Sequence, residues 1–137
     1  MTRTLYRIAA VLIFLFALGH TSGYPWSDPR WGVDLHAVQS SHFDVFGSNR
    51  TYWDFYLGFG LFNSMFMLLA AVLAWQLGDL AAQDLRYMRA TSWFLALCFA
   101  AVTLLCWMYF FIIPIVFSTA ITVCLVAAVW RAQAQSS

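Results

Sequence analysis

All three histidines of the chain and four of its six acids fall within its first 54 residues: His20, His36 and His42, with Asp28, Asp34, Asp44 and Asp54. An imidazole and a carboxylate within hydrogen-bond reach can pass a proton, and several together can hold a metal. The spacing disfavours the metal. His36 and His42 are six positions apart, which puts them on different faces of a helix. His42 and Asp44 share a face only if the chain is extended. There is no H-E-x-x-H and no C-x-x-C, so neither a metal nor another cofactor is expected. Nucleophilic triads and phosphate loops are also absent. Gly58-x-Gly60 lacks the third glycine of a dinucleotide fingerprint and reads as close helix packing.

Proton transfer is the chemistry left, and Asp54, His20 and His42 are its candidates. Each also has a structural reading. Thr51-Tyr52-Trp53-Asp54 has the spacing of a capping box, in which Thr51 caps a helix and Asp54 reaches back to it. A cap and a pocket role for Asp54 are compatible. Arg50, one turn before Asp54, can pair with it. His20 is placed to satisfy the last carbonyls of a helix, and His42 to pack at an interface.

The elements that position these residues are membrane spans. The chain has 137 residues, 63% of them hydrophobic and 9% charged, against roughly 25% charged in a soluble domain. Its length allows a single transmembrane domain, residues 1–137. A net charge of +1 offers nothing to nucleic acid. Arg3 and Arg7 before the apolar run Ile8 to Leu18, with Ala17-Leu18-Gly19 behind it, have the outline of a signal peptide. The run continues without a signal's boundary, so an uncleaved first helix is expected.

Spans are expected at about residues 5–21, 52–77, 91–111 and 114–130. From Trp93 to Trp130 there are 38 residues without Asp, Glu, Lys or Arg. One helix of that length would reach about 57 Å, nearly twice the hydrocarbon core. The stretch must fold back, and Pro114 marks the start of the returning helix. An inside amino terminus leaves Arg3, Arg7, Arg86, Arg89 and Arg131 in the cytoplasm and only Arg30 and Arg50 outside. Both termini are therefore expected in the cytoplasm of a bacterial inner-membrane protein, with the seven tryptophans lying mostly at the span ends. Asp79 and Asp84, with Arg86 and Arg89, form an ordinary solvated linker. The inner halves of the spans are nearly all apolar, which argues against an ion path.

Gly60-x-x-x-Ser64, Ala96-x-x-x-Ala100 and Ser118-x-x-x-Thr122 place small groups one turn apart, as close helix packing in lipid requires. Asn63 is expected to bond across helices. Cys98 and Cys106 on one helix would stand about 12 Å apart along the axis, too far for a disulfide; with Cys124 they read as small core residues. Residues 24–50 should hold structure of their own. Turn formers from Tyr24 to Pro29 lead into Leu35, Val38, His42 and Val45 at helical spacing, with Asp34 as N-cap and Gly47 as stop. This predicts a short amphipathic helix on the outer interface, with His42 on its apolar side. The fold class is thus all-α, a membrane four-helix bundle with an amphipathic helix between its first two spans.

The segments Gly19-His20-Thr21, Ser41 to Val45 and Arg50 to Gly60 resemble those of small bacterial four-span membrane proteins, a resemblance that covers nearly the whole chain and implies no activity. The layout is more distantly similar to the emopamil-binding-protein superfamily of sterol isomerases and sterol-binding receptors. That similarity implies a lipophilic ligand between helices, with Asp54 and His20 at the positions to meet it. The microsomal glutathione transferases share the four spans and length, but this chain lacks the basic density of their cytoplasmic loop.

The expected function is an outward-facing polar pocket for a small lipophilic molecule, a reading that includes an isomerase- or cyclase-type enzyme. In it Asp54 is the acid, base or acceptor, with His20 and His42 as its proton partners. Arg50 sets the electrostatics, and Trp53, Tyr56 and Trp107 supply aromatic wall. The alternative is a non-catalytic subunit of a larger membrane complex, or a homo-oligomer, packed through Phe59, Phe62 and Phe66.

Overall fold

The computed structural model describes residues 1–23, 32–80 and 88–134. The expected turn at Tyr24 to Pro29, and Arg30, Asp84 and Arg86, lie outside these. Four long apolar helices dominate: α1 (Thr2–Gly23), α3 (Tyr52–Leu80), α4 (Arg89–Tyr109) and α5 (Ile112–Ala134). Each is long and apolar enough to cross a bilayer. This is a multi-pass membrane protein with an all-α, four-helix architecture. Between α1 and α3 lie a six-residue helix, α2 (Leu35–Ser40), and two short antiparallel strands, β1 (His42–Val45) and β2 (Ser48–Thr51).

The break in the long uncharged stretch falls at Phe110, whose backbone is extended and whose N–H closes α4 on the Cys106 carbonyl at 3.0 Å. Pro114 lies in the first turn of α5, where the N–H it lacks would have had no helical partner. The helices α4 and α5 then pack against each other along their length. Thr103 and Thr122 share a hydroxyl bond of 2.9 Å, and the Trp107 indole N–H donates to Thr119 at 3.4 Å.

The chain forms two compact units, one of Met1–Phe16 with Met67–Ser137, the other of Ala17–Phe66. In the first, one apolar core gathers Tyr6, Ile13, Leu77, Leu95, Phe99, Ile121, Leu125 and Val129 with small residues between them. On α5 the buried positions Pro114, Ser118, Ile121, Leu125 and Ala128 follow at alternating intervals of four and three, with Val129 buried beside the last. That is the 3.5-residue repeat of helices packed along a seam. The small-residue motifs lie on such seams: Ser118 and Ala96 are buried, and Thr122 makes the bond to Thr103.

Tyr6 is fully enclosed in this core, and among the described residues its hydroxyl has no partner at hydrogen-bond distance. Ser92, the polar side chain beside it, gives its hydrogen to the Met88 carbonyl. An unsatisfied buried hydroxyl costs about 1–3 kcal/mol, whereas phenylalanine keeps the ring and removes the cost. Tyr6→Phe is therefore expected to leave the melting temperature of the detergent-solubilised protein unchanged or raise it. A marked fall would mean that the hydroxyl has a partner after all.

Candidate functional site

All the candidate residues except Trp107 belong to the unit formed by Ala17–Phe66. Trp107 belongs to the other unit, on α4.

The segment that carries His42 differs from expectation. Asp34 does cap a helix, its carboxylate accepting from the Ala37 N–H at 3.1 Å. That helix stops at Ser40, and His42 to Val45 is extended. The 3–4 spacing of Leu35, Val38, His42 and Val45 counted a histidine as apolar. The local order His42-Phe43-Asp44-Val45 alternates polar and apolar, with period two, as a strand requires. Two serines before it favour leaving the helix. Gly47 terminates no helix: it forms the hairpin turn with Phe46, both with positive φ, +80° and +48°, the signs of the two-residue turn that suits strand twist.

The extended chain puts His42 and Asp44 on one exposed face, opposite Thr51 and Asn49. His42 Nδ1 donates to Asn49 Oδ1 at 2.7 Å, and the Asn49 amide reaches Asp44 at 3.5 Å. Phe43 turns the other way, onto Tyr52 (ring centroids 4.9 Å apart) and Phe55 (5.6 Å). This aromatic contact joins the hairpin to the start of α3.

At that start the capping box is complete. Thr51 Oγ1 accepts from the Asp54 N–H at 3.1 Å, and Asp54 Oδ2 accepts from the Thr51 N–H at 2.8 Å. The box satisfies donors that α3 would otherwise leave bare at its first turn. Thr51→Ala removes one half of it and is expected to cost about 0.5–2 kcal/mol, read as a lower midpoint in denaturant titration. Arg50 and His42 lie close enough to act on Asp54 electrostatically. The Arg50 guanidinium, however, donates to the Asn49 carbonyl at 2.7 Å rather than closing an ion pair on Asp54. Trp53 and Tyr56 lie against each other, ring centroids 5.7 Å apart.

His20, near the end of α1, meets α3 elsewhere. Its Nε2 is 3.2 Å from the Gly60 carbonyl and 3.5 Å from the Asn63 amide nitrogen. A carbonyl only accepts, so that contact needs the hydrogen on Nε2, and a protonated Nε2 cannot also accept from Asn63. Thr21 and Ser64 complete the group, their hydroxyls 2.9 Å apart, and Ser64 donates to the same Gly60 carbonyl at 3.1 Å. Gly60-x-x-x-Ser64 is thus both the close-packing motif and the acceptor for His20. Asn63 comes within 3.5 Å of His20 across the helices, and bonds to it only in the tautomer that leaves Nε2 without its hydrogen.

From Asp54 to Gly60 the axial distance along α3 is about 9 Å, and to Asn63 about 13 Å. The structure therefore groups Asp54 with Thr51, Arg50 and His42, and sets His20 deeper with Asn63, Thr21 and Ser64. Direct proton exchange between His20 and Asp54 would need a bridging group. Among the described residues, no three His, Cys or Asp are gathered as metal ligands. The comparisons with protein-family models, curated proteins and solved structures find no match.

Sequence reading passed over Asn63 as a site residue. It lies about 17 Å along α3 from Tyr52, yet its side chain is exposed, between Phe59, Phe62 and Phe66, which are themselves more than 60% exposed. A lone polar residue in a stripe of phenylalanines was the available signal.

Proposed function

We propose that the protein binds a small lipophilic molecule with one polar group, which it takes from the lipid around α3. The observation that carries this reading is Asn63, an exposed amide at membrane depth beside His20, on a face otherwise built of phenylalanine. An amide offers two donors and two acceptor lone pairs, and the contact to His20 uses at most one of these. Leaving the others bare in hydrocarbon is costly. A ligand hydroxyl or carbonyl would satisfy them, while Phe59 and Phe62 lie along its apolar body. Asp54, Arg50 and His42, with Trp53 and Tyr56, would form the polar mouth towards the outer interface. The layout similar to the emopamil-binding-protein superfamily supports the same class of ligand. The arginine distribution supports a bacterial inner-membrane orientation with both termini cytoplasmic, and a reporter fused after Ser137 tests that directly.

A subunit role is favoured by a different observation: Phe62 and Phe66 stack at 6.2 Å on the same exposed stripe, as a partner helix would use. Mass spectrometry of the protein extracted in native membrane discs decides between the two. A specific lipophile retained by the wild type and lost in His20→Ala and Asn63→Leu supports the ligand. If no small molecule is enriched and another membrane protein co-purifies in fixed ratio, the subunit reading replaces it. Asp54→Asn separates binding from catalysis, since asparagine can still cap α3 but cannot exchange a proton as a carboxylate does. Loss of turnover with binding intact would assign an isomerase- or cyclase-type step to Asp54.

A further inference from the structure

The unit formed by Met1–Phe16 with Met67–Ser137 carries a feature unrelated to the polar residues of α3's first half. An open trough of about 350 Å³ runs between α1 and α3, lined by Ala10, Val11 and Phe14 on one side and Ala71, Val72 and Trp75 on the other. Its walls are apolar and aromatic, and small alanines on both helices make its floor. Along α3 its lining extends over about 10 Å, enough for a length of extended hydrocarbon chain.

The trough has a polar end. Arg7, one turn before Ala10 and Val11, lays its guanidinium over the Trp75 ring, 3.2 Å from the centroid. Arg7 also pairs with Asp79, and Arg3 reaches the same carboxylate oxygen at 3.1 Å. Arg131 joins this end through a 3.0 Å contact with the Met1 sulfur. Two guanidiniums thus share one carboxylate, with Arg131 near the same helix end. Each guanidinium has five N–H donors, and a single acceptor oxygen shared between two of them leaves donors to spare. Nothing about ion-pair stability requires two arginines on one aspartate. The surplus positive charge stands where an apolar trough opens to the interface.

From this juxtaposition we infer that the trough is the seat of an anionic phospholipid, with an acyl chain between α1 and α3 and the headgroup phosphate on Arg3 and Arg7. Charge and shape agree along one axis. The cationic end lies at the helix ends, where headgroups are, and the apolar walls run from there towards the bilayer centre. The half-exposed Trp75 indole marks the boundary, as tryptophan does at membrane interfaces. Basic surfaces between spans bind acidic headgroups for the same reason. The site is independent of His20 and Asn63, so its test does not depend on the ligand proposed above.

The test is native mass spectrometry of the full chain in detergent, titrated with dioleoylphosphatidylglycerol or dioleoylphosphatidylcholine. The wild type is expected to prefer the anionic lipid about fivefold or more, from about one arginine's worth of headgroup attraction. Arg7→Gln should bring the preference close to unity and leave the zwitterionic lipid unchanged. Val72→Trp, at a half-exposed wall position, should weaken both lipids by filling the trough. Free glycerol phosphate should not displace the lipid, because it has no chain to seat. Equal binding of the two lipids by the wild type would overturn the inference, as would a preference that survives Arg7→Gln. Insensitivity to Val72→Trp combined with displacement by glycerol phosphate would reduce the site to a surface phosphate contact, which also overturns it. Arg3→Gln, at a side chain 58% exposed, gives a second reading where Arg7→Gln fails to fold.

Discussion

Leu125→Ala is expected to destabilise the helical core by about 2 kcal/mol, at the lower end of the range for buried leucines. Leu125 is fully buried in the cluster that Ile121, Ala128 and Val129 share with Leu95 and Phe99 of α4 and Ile13 of α1. In a soluble protein such a truncation loses both the transfer of apolar surface out of water and the contacts around the cavity. Here the separated helices stay in lipid, so the transfer part nearly vanishes and the lost packing remains. The control is Leu97→Ala. Leu97 is 61% exposed on α4 and faces away from that core, so its truncation should change stability by less than about 0.5 kcal/mol. Unfolding by a denaturing detergent, followed by near-UV circular dichroism, compares the two. A loss at Leu97 equal to that at Leu125 would mean that the packing seam has been placed on the wrong face.

That pair of leucines shows why the buried faces were only partly legible in the sequence. In water the core face of a helix is the apolar one. In lipid all faces are apolar, and Leu97 and Leu125 look alike. The seam is marked instead by small and hydroxylated residues, which is why Ser118, Ala96 and Gly60 pointed to it while the leucines did not. The spans were legible because length and absence of charge decide them, and the return at Phe110 because Pro114 permits only a first-turn position. The capping box at Thr51 and Asp54 was legible as four residues of local chemistry. The hairpin was not, because its two strands compete with a helix over the same ten residues and the deciding features are small: the alternation of His42 to Val45, and Gly47 beside a positive-φ Phe46. Once that segment is extended, His42 meets Asn49 and Asp44, a grouping that helical spacing could not supply. The trough between α1 and α3 depends on which alanines of two distant segments face each other, and one chain read alone does not contain that pairing.

Gly78 shows the same dependence on a distant partner, and its replacement carries the second large expected effect. A Cβ at Gly78 would stand 3.3 Å from the Cβ of Tyr6 and 3.4 Å from the Arg3 carbonyl oxygen. Neither atom belongs to a flexible side-chain end, so α1 itself would have to move. Alanine would gain about 1 kcal/mol of helix propensity over glycine and lose a similar amount to this contact, so Gly78→Ala is expected to be nearly neutral. Valine adds two methyl groups in the same space and should cost about 1–3 kcal/mol. The cost has a direction. Asp79, the next residue, reaches Arg3 and Arg7 only because α1 approaches α3 this closely, so wedging the helices apart should loosen both ion pairs and the Arg7 stack on Trp75. Gly78→Val is therefore expected to lower the melting temperature and to change the emission of Trp75, measured in a variant whose other six tryptophans are replaced by phenylalanine, whereas Gly78→Ala should do neither. If valine is accommodated with both signals unchanged, the close approach of α1 and α3 at this end is not what holds the arginines in place.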